Sequence, residues 1–272
     1  MKRIAWNCAI FVLLSCVGST CLAEDQPQKS DETSTQKLQQ AVAAASKAAA
    51  LGKSKEAVKW ASAGIKISPE NADLYYLRGR EHFRIGKFKE SVTDFDQYVK
   101  LQPNQVSRQW ERGISCYYAK QYQAGADQFK LYQTYHDNDV ENSVWRYLCV
   151  ARAQSVEEAR KTILPIKNDR RIPMMTILAM YRGDATPEDV LKEIEQGEPT
   201  AAEKMGRKFY ADLYLGLYFE ANAQPKKAQP HIAAAADKQI PIKAQGRINT
   251  YMWDVARVHH ERLQSEAKKP SK

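Results

Sequence analysis

Leu74-Tyr75-Tyr76-Leu77-Arg78-Gly79, Lys87-Phe88-Lys89-Glu90-Ser91 and Leu101-Gln102-Pro103, all from the stretch 72–105, decide the fold of this chain. The first fragment opens a helix that ends near Ile85-Gly86. The second opens another, and Pro103 stops it because proline has no N–H to give to the next turn. Gly79 lets the two helices approach closely, and Ser91 stands opposite it, where a large side chain would push them apart. Phe88 and Phe95 lie seven residues apart on one face of the second helix and fill the space between neighbouring hairpins.

The stretch recurs. Gly79 returns as Gly113, Phe88 as Tyr122, Phe95 as Phe129 and Tyr98 as Tyr132, each 34 residues on, while Gly52 precedes Gly86 and Pro69 precedes Pro103 by the same interval. A 34-residue period with small, aromatic and proline positions in this order resembles the tetratricopeptide (TPR) pattern. That resemblance implies an all-α superhelical solenoid of helix hairpins, here over 37–263. Three units are clear. The unit 38–71 is alanine-rich, with Ala45, Ala57, Ala61 and Pro69 in the key slots. The units 72–105 and 106–139 follow, the latter with Lys120 in place of the turn glycine and Asp137 in place of the closing proline. The pattern degenerates over 140–200, where helices are expected at 143–153, 156–163, 172–181 and 187–196. In the last of these Thr186 can cap and Pro187 takes the first helical position. A late repeat spans 209–242, with Gly216 in the small slot, Ala228 facing it and Pro241 closing it. The segment 242–263 reads as one amphipathic capping helix covering the open end of the solenoid. The polar segments 24–36 and 264–272 read as a disordered linker and tail.

The N-terminus reads as an export signal. Lys2 and Arg3 precede the mostly apolar run 4–14, and Cys21-Leu22-Ala23 forms a small-x-small site before Glu24, giving a signal peptide over 1–23 with cleavage after Ala23. A second route competes: Leu13-Leu14-Ser15-Cys16 resembles a lipobox, in which Cys16 would be lipidated. Simple cleavage leaves a periplasmic or secreted protein; a diacylated Cys16 would anchor it stably to the outer membrane. A membrane association is expected only in the second case.

Removing 1–23 takes away two basic residues and no acidic one, so the net charge falls from +9 to +7. Export and the even spread of the basic residues argue against nucleic acid and for a solvated basic surface or an acidic partner. Cys116 and Cys149 alone remain after the signal, with no metal-type spacing; the exported context permits a disulfide between them, and their apolar helical settings equally suit buried free thiols. The histidines (His82, His136, His231, His259, His260) form no two-histidine zinc helix, and the adjacent His259-His260 read as surface residues. No phosphate loop, nucleophile elbow or dinucleotide turn is present, Ser115-Cys116 has no evident base, and Glu157-Glu158 sit beside Arg160 and Lys161 as a solvated cluster. No metal, cofactor or catalytic residue is expected.

Beyond the generic repeat, several segments resemble the NlpI type of bacterial TPR lipoprotein over roughly 38–262. These are Trp110-Glu111-Arg112-Gly113-Ile114 followed by Tyr117-Tyr118, Val144-Trp145-Arg146-Tyr147-Leu148, Met180-Tyr181-Arg182-Gly183-Asp184, and Tyr214-Leu215-Gly216-Leu217-Tyr218-Phe219. The resemblance implies an envelope adaptor that docks peptidoglycan hydrolases and a processing protease on one scaffold. The chain departs from that type at its poor lipobox.

A TPR stack curves and exposes one face of its first helices along a concave groove. In the second unit that stripe is Tyr76, Arg80, Phe83 and Arg84; in the third, Trp110, Ile114, Tyr117 and Tyr118; in the fourth, Val144, Leu148, Ala151 and Arg152. Aromatic side chains beside arginines are the residue types that dominate binding energy. They suit an extended or helical peptide of acidic character. The carboxylate clamp known from TPR receptors of chaperone tails is not evident, since Tyr76, Arg80, Trp110 and Ile114 hold the corresponding places. Four other readings compete: the chain's own N- or C-terminal helix could fill the groove, these side chains could merely pack between repeats, a homodimer could exchange terminal helices through it, or wall glycan could bind at Arg80, Arg84 and Arg152.

Overall fold

The structure, a computed structural model, describes the backbone of residues 27–268 and the side chains of 33–268. The signal peptide, its cleavage point after Ala23 and the lipidation candidate Cys16 lie outside the described residues. Within them all regular structure is helical. The helices are α1 (Pro27–Ala50), α2 (Ser54–Ile67), α3 (Ala72–Arg84), α4 (Phe88–Leu101), α5 (Trp110–Tyr118), α6 (Tyr122–Tyr132) and α7 (Val140–Ala153). They continue as α8 (Val156–Lys161), α9 (Met174–Arg182), α10 (Pro187–Glu193), α11 (Ala201–Ala221), α12 (Pro225–Ala235), α13 (Ile240–Lys243) and α14 (Thr250–Ala267). A 3-10 turn, Pro103–Arg108, joins α4 to α5.

The hairpins form for the reasons their sequence carries. Asn71 and Asp139 cap α3 and α7 through their side chains, and Thr186 and Thr200 form capping boxes with Asp189 and Glu203 at the starts of α10 and α11. Gly52 and Gly86 take positive φ (68° and 76°) between the helices of the first two hairpins. Lys120, at the same place in the third, is driven to φ 63° without a glycine's freedom. Between helices, Ser91 Oγ donates to the Gly79 carbonyl at 2.7 Å, so the small–small contact is hydrogen-bonded as well as close. The buried Asp94 accepts from Arg78 and lies 2.9 Å from His82 Nδ1.

Two buried apolar clusters result. A small one joins Ala45 and Ala61 of the first hairpin to Leu74 of α3. The large one runs from Phe83 through Tyr147, Tyr181 and Tyr214 to Val258, so the degenerate middle is packed as one body with the last helices.

Several boundaries differ from those read in the sequence; the first helix of the late repeat, α11, starts at Ala201 and not at 209, and Pro241 lies inside α13 instead of closing the repeat. Residues 27–36 belong to α1, not to a linker, and 264–267 extend α14, not a tail. The capping segment 242–263 is split: α13 ends at Lys243 and α14 starts at Thr250 after an Asn249 cap. The two free thiols Cys116 and Cys149 are both buried, so the disulfide that the exported context permits is not formed. They flank Gly125, where a Cβ would meet Cys149 Sγ at 2.8 Å and Cys116 Cβ at 3.4 Å. Burial pushes the Cys116 thiol up to about 11 and Cys149 well above its ordinary value, which makes both poor nucleophiles.

Candidate functional site

The stripes on α3, α5 and α7 do come together, and helix α14 lies on them. Its first turn brings Tyr251 against Phe83, with ring centroids 5.3 Å apart, and against the Trp110 ring at 5.3 Å. Asp254, one turn on, accepts from Arg84 Nε at 2.8 Å, while Arg84 also pairs with Glu81. Arg257 returns a hydrogen bond to the Arg84 carbonyl at 3.0 Å. Further along, His259 meets the Tyr118 hydroxyl at 2.9 Å and Glu220 of α11 at 2.6 Å. With a carboxylate on Nε2, that nitrogen carries the proton and Nδ1 accepts from Tyr118. Arg262 and Arg152 close the cluster, each pairing with Glu220 (2.9 and 2.7 Å).

The groove residues therefore divide. Phe83, Ile114, Tyr117 and Tyr118 are buried core. Trp110 is packed under Tyr251, and Arg84 and Arg152 hold ion pairs within the chain. Val144 and Leu148 are buried and carry no exposed stripe. His259, read as a surface residue, is fully buried at 0% exposure; its neighbour His260 is the partly exposed one. The periodicity of 250–267 marks an amphipathic helix, but nothing in it says which surface the apolar face meets, so the partners of Tyr251, Asp254 and His259 were not legible.

Electrostatics bind the far end of α14. Burial raises Glu220, yet the His259 hydrogen bond and the Arg262 and Arg152 charges outweigh it and hold the carboxyl at about 2. Burial lowers His259, and the nearby arginines add to it, against the Glu220 hydrogen bond.

What stays open is the N-terminal part of the concave face. A cleft of about 810 Å³ lies between the α1–α2 turn, the end of α3 and the start of α14. It adjoins a hollow of about 510 Å³ over Tyr76 and Arg80, and the two share Ala49, Ala50, Arg84 and Thr250. The small side chains of α1 leave this floor low. Tyr76 donates to Glu111 Oε1 at 2.7 Å, which fixes its ring. Arg80 lies over two rings, 5.6 Å from the Tyr76 centroid and 5.0 Å from that of Tyr251. Among the described residues no carboxylate forms a salt bridge with Arg80, and its Nε has no acceptor. Glu81 Oε2, beside it and buried, has no donor. Most neighbouring charges are already matched: Arg84 with Glu81 and Asp254, Lys53 with Glu56. Arg80 makes no such pair, though its charge acts on the buried Glu111 carboxylate.

No group of three or more metal-ligating side chains is found among the described residues, and no helix among them is long and apolar enough to cross a membrane.

Comparison with known proteins agrees on the repeat. The tetratricopeptide repeat family matches residues 72–105, the second hairpin. No curated protein matches the sequence. Among solved structures, MamA (residues 41 to end) from Desulfovibrio magneticus RS-1 is 14% identical, with a TM-score of 0.46, covering 78% of this chain and 98% of that one. The chain is all-α over its described residues and carries a tetratricopeptide repeat.

Proposed function

We propose that this chain is a non-catalytic protein-binding scaffold of the bacterial cell envelope, and that an acidic segment of its partner lies in the open cleft between α1, α3 and the start of α14. One observation carries the reading: Arg80, bracketed by the Tyr76 and Tyr251 rings, forms no direct salt bridge among the described residues and lines an open hollow, the buried Glu111 acting on it only at longer range. A guanidinium held between aromatic rings is prepared to take a carboxylate with little loss of side-chain entropy.

The export signal read over 1–23 and the resemblance to the NlpI type support the envelope setting and wall hydrolases or a processing protease as partner classes. The buried residues Phe83, Ile114, Tyr117 and Tyr118 drop out of the binding set, and Tyr76 and Arg80 stay in it.

The test compares capture of envelope proteins by the immobilised chain and by its Arg80→Glu variant. Partners retained by the parent chain and lost with Arg80→Glu, with binding weakened by salt, support the reading. A captured set indifferent to the substitution overturns the cleft as the site. Recovery of none overturns the scaffold.

A further inference from the structure

A hollow of about 260 Å³ lies between the chain just before α9, the first turns of α11 and the loop that joins α13 to α14. Arg170, Arg171, Arg207 and Arg247 line it, with Ile172, Gly206 and Tyr210 as its less polar part and Glu203 as its only lining carboxylate among the described residues. Arg170, Arg171 and Arg247 are exposed and Arg207 is half-buried, so each of the four keeps accessible surface. Local structure brings them together. Gly206 lets the loop lie against α11, since a Cβ there would meet the Arg247 Cβ at 2.8 Å. Arg207 Nη1 donates to the Ile194 and Gln196 carbonyls at 3.2 and 2.6 Å, which fixes its guanidinium without neutralising it. Arg171 Nε donates to Asp169 at 3.0 Å, and its guanidinium lies 5.9 Å from the Tyr210 ring centroid.

Like charges gathered in one hollow repel, and carboxylates answer only part of this set. Arg247 pairs with Glu203 at 3.2 Å, and Glu203 also feels the charge of Arg207. Arg171 is matched by Asp169, Asp139 and Glu141. The last two line a neighbouring cavity and not this one, so the hollow itself is basic although its surroundings are near balance. Arg170 and Arg207 form no direct salt bridge among the described residues. We propose that this hollow binds the phosphate monoester group of a small molecule or lipid headgroup. Such a group carries about two negative charges at neutral pH and three acceptor oxygens, enough for both surplus guanidiniums. Guanidinium forks match its geometry. A carboxylate brings one charge and two oxygens and leaves one of them unanswered. Size agrees: a cavity of roughly 150 Å³ admits a benzene ring, so this one has room for the ester's carbon skeleton beside Ile172 and Tyr210. The site shares no lining residue with the cleft at Arg80, and its proof or failure leaves the scaffold reading untouched.

Glycerol phosphate is the probe, titrated into the full chain at low salt by calorimetry with phosphorus NMR alongside. Saturable binding is expected, at least about tenfold tighter than that of glycerate, a carboxylate of similar shape, one charge-assisted hydrogen bond being of that order. Arg170→Ala removes an exposed side chain that makes no salt bridge, and should weaken glycerol phosphate about tenfold with the melting temperature unchanged. Lys130→Ala takes the same charge from the exposed surface of α6, away from the hollow, and should leave binding as it was. Vesicles of phosphatidylcholine with and without phosphatidic acid distinguish the sources. Co-sedimentation that needs phosphatidic acid and Arg170 assigns the ester to a lipid, and protein left in solution beside bound glycerol phosphate assigns it to a soluble molecule. Absence of saturable binding, glycerate equal to glycerol phosphate, Arg170→Ala binding as before, or Lys130→Ala weakening it as much would each overturn the assignment.

Discussion

Tyr251 stacks on Phe83, with ring centroids 5.3 Å apart and planes inclined by 28°, although one residue belongs to the last helix and the other to the second hairpin. This contact makes the last helix part of the core of a hairpin far from it in sequence. A linear repeat array touches only nearest neighbours; here the array is cross-braced, and unfolding of α14 and α3 is coupled.

Ending the chain after Ile248 therefore does more than remove a terminal helix. Phe83 and Tyr118 lose their cover, and the remaining protein should bind a hydrophobic dye and melt over a broader, lower range. A synthetic peptide of residues 249–268 added in trans should restore the sharp transition; a truncated chain that melts like the parent would contradict the brace.

Glu220 of α11 pairs with Arg152 of α7 and with Arg262 of α14, and accepts from the neutral His259 of α14. Glu220→Gln should lower stability by about 3 kcal/mol, since breaking a buried, hydrogen-bonded ion cluster leaves its partners uncompensated. Denaturant unfolding measures this. Glu220 is 15% exposed at its side chain, so solvent screening removes little of the effect.

The same cluster sets a pH dependence. Glu220 sits at about 2 in the fold against 4.5 ordinarily, so its contribution is complete above pH 4.5 and is lost as pH falls toward 2; that shift corresponds to about 3 kcal/mol. His259 is lowered from 6.5, so the unfolded chain takes up its proton first, and stability also drops as pH falls below 6.5. The melting temperature should decline in two stages on acidification. His259→Gln should abolish the upper stage and Glu220→Gln the lower, as read by calorimetry across pH 3–8.

Equivalent glycines should not respond equally to alanine. At Gly113 a Cβ would lie 2.6–2.9 Å from the Phe129 ring, which is buried and cannot yield, so Gly113→Ala should cost about 1–3 kcal/mol. At Gly79 the closest atoms would be 3.3–3.4 Å away, and the gain in helix propensity of about 1 kcal/mol offsets the crowding. Thermal melts of the two variants should differ clearly in this order.

Lys120 occupies the turn position that Gly52 and Gly86 hold in the preceding hairpins, at φ 63°. Left-handed backbone costs a residue with a side chain about 1–2 kcal/mol, and glycine gives back part of that through unfolded-chain entropy. Lys120→Gly should stabilise by about 0.5–1 kcal/mol, visible as a raised melting temperature with the denaturant slope unchanged.

The hairpins were legible because their determinants are local. Gly79 opposite Ser91, Phe88 with Phe95, and Pro103 act within one 34-residue unit, and their recurrence announces the register. Even in the degenerate middle, Thr186 and Pro187 marked the start of α10. The groove stripes were legible as faces of helices, since i, i+4 and i+7 spacing is also local.

Which of those faces remains open was decided only by tertiary structure. The residues 250–267 state that a helix is amphipathic; they do not state whether its apolar face covers the end of the stack, a second chain or the groove. That choice rests on long-range complementarity: Tyr251 on Phe83, Asp254 on Arg84, His259 between Tyr118 and Glu220. Each pairs residues whose separation carries no period. The sequence by itself determined an all-α repeat protein and the hairpins that build it. The folded chain decided that α14 takes most of the concave face, leaving Arg80 and its cleft open, because burying unpaired aromatic surface outweighs leaving the groove to solvent.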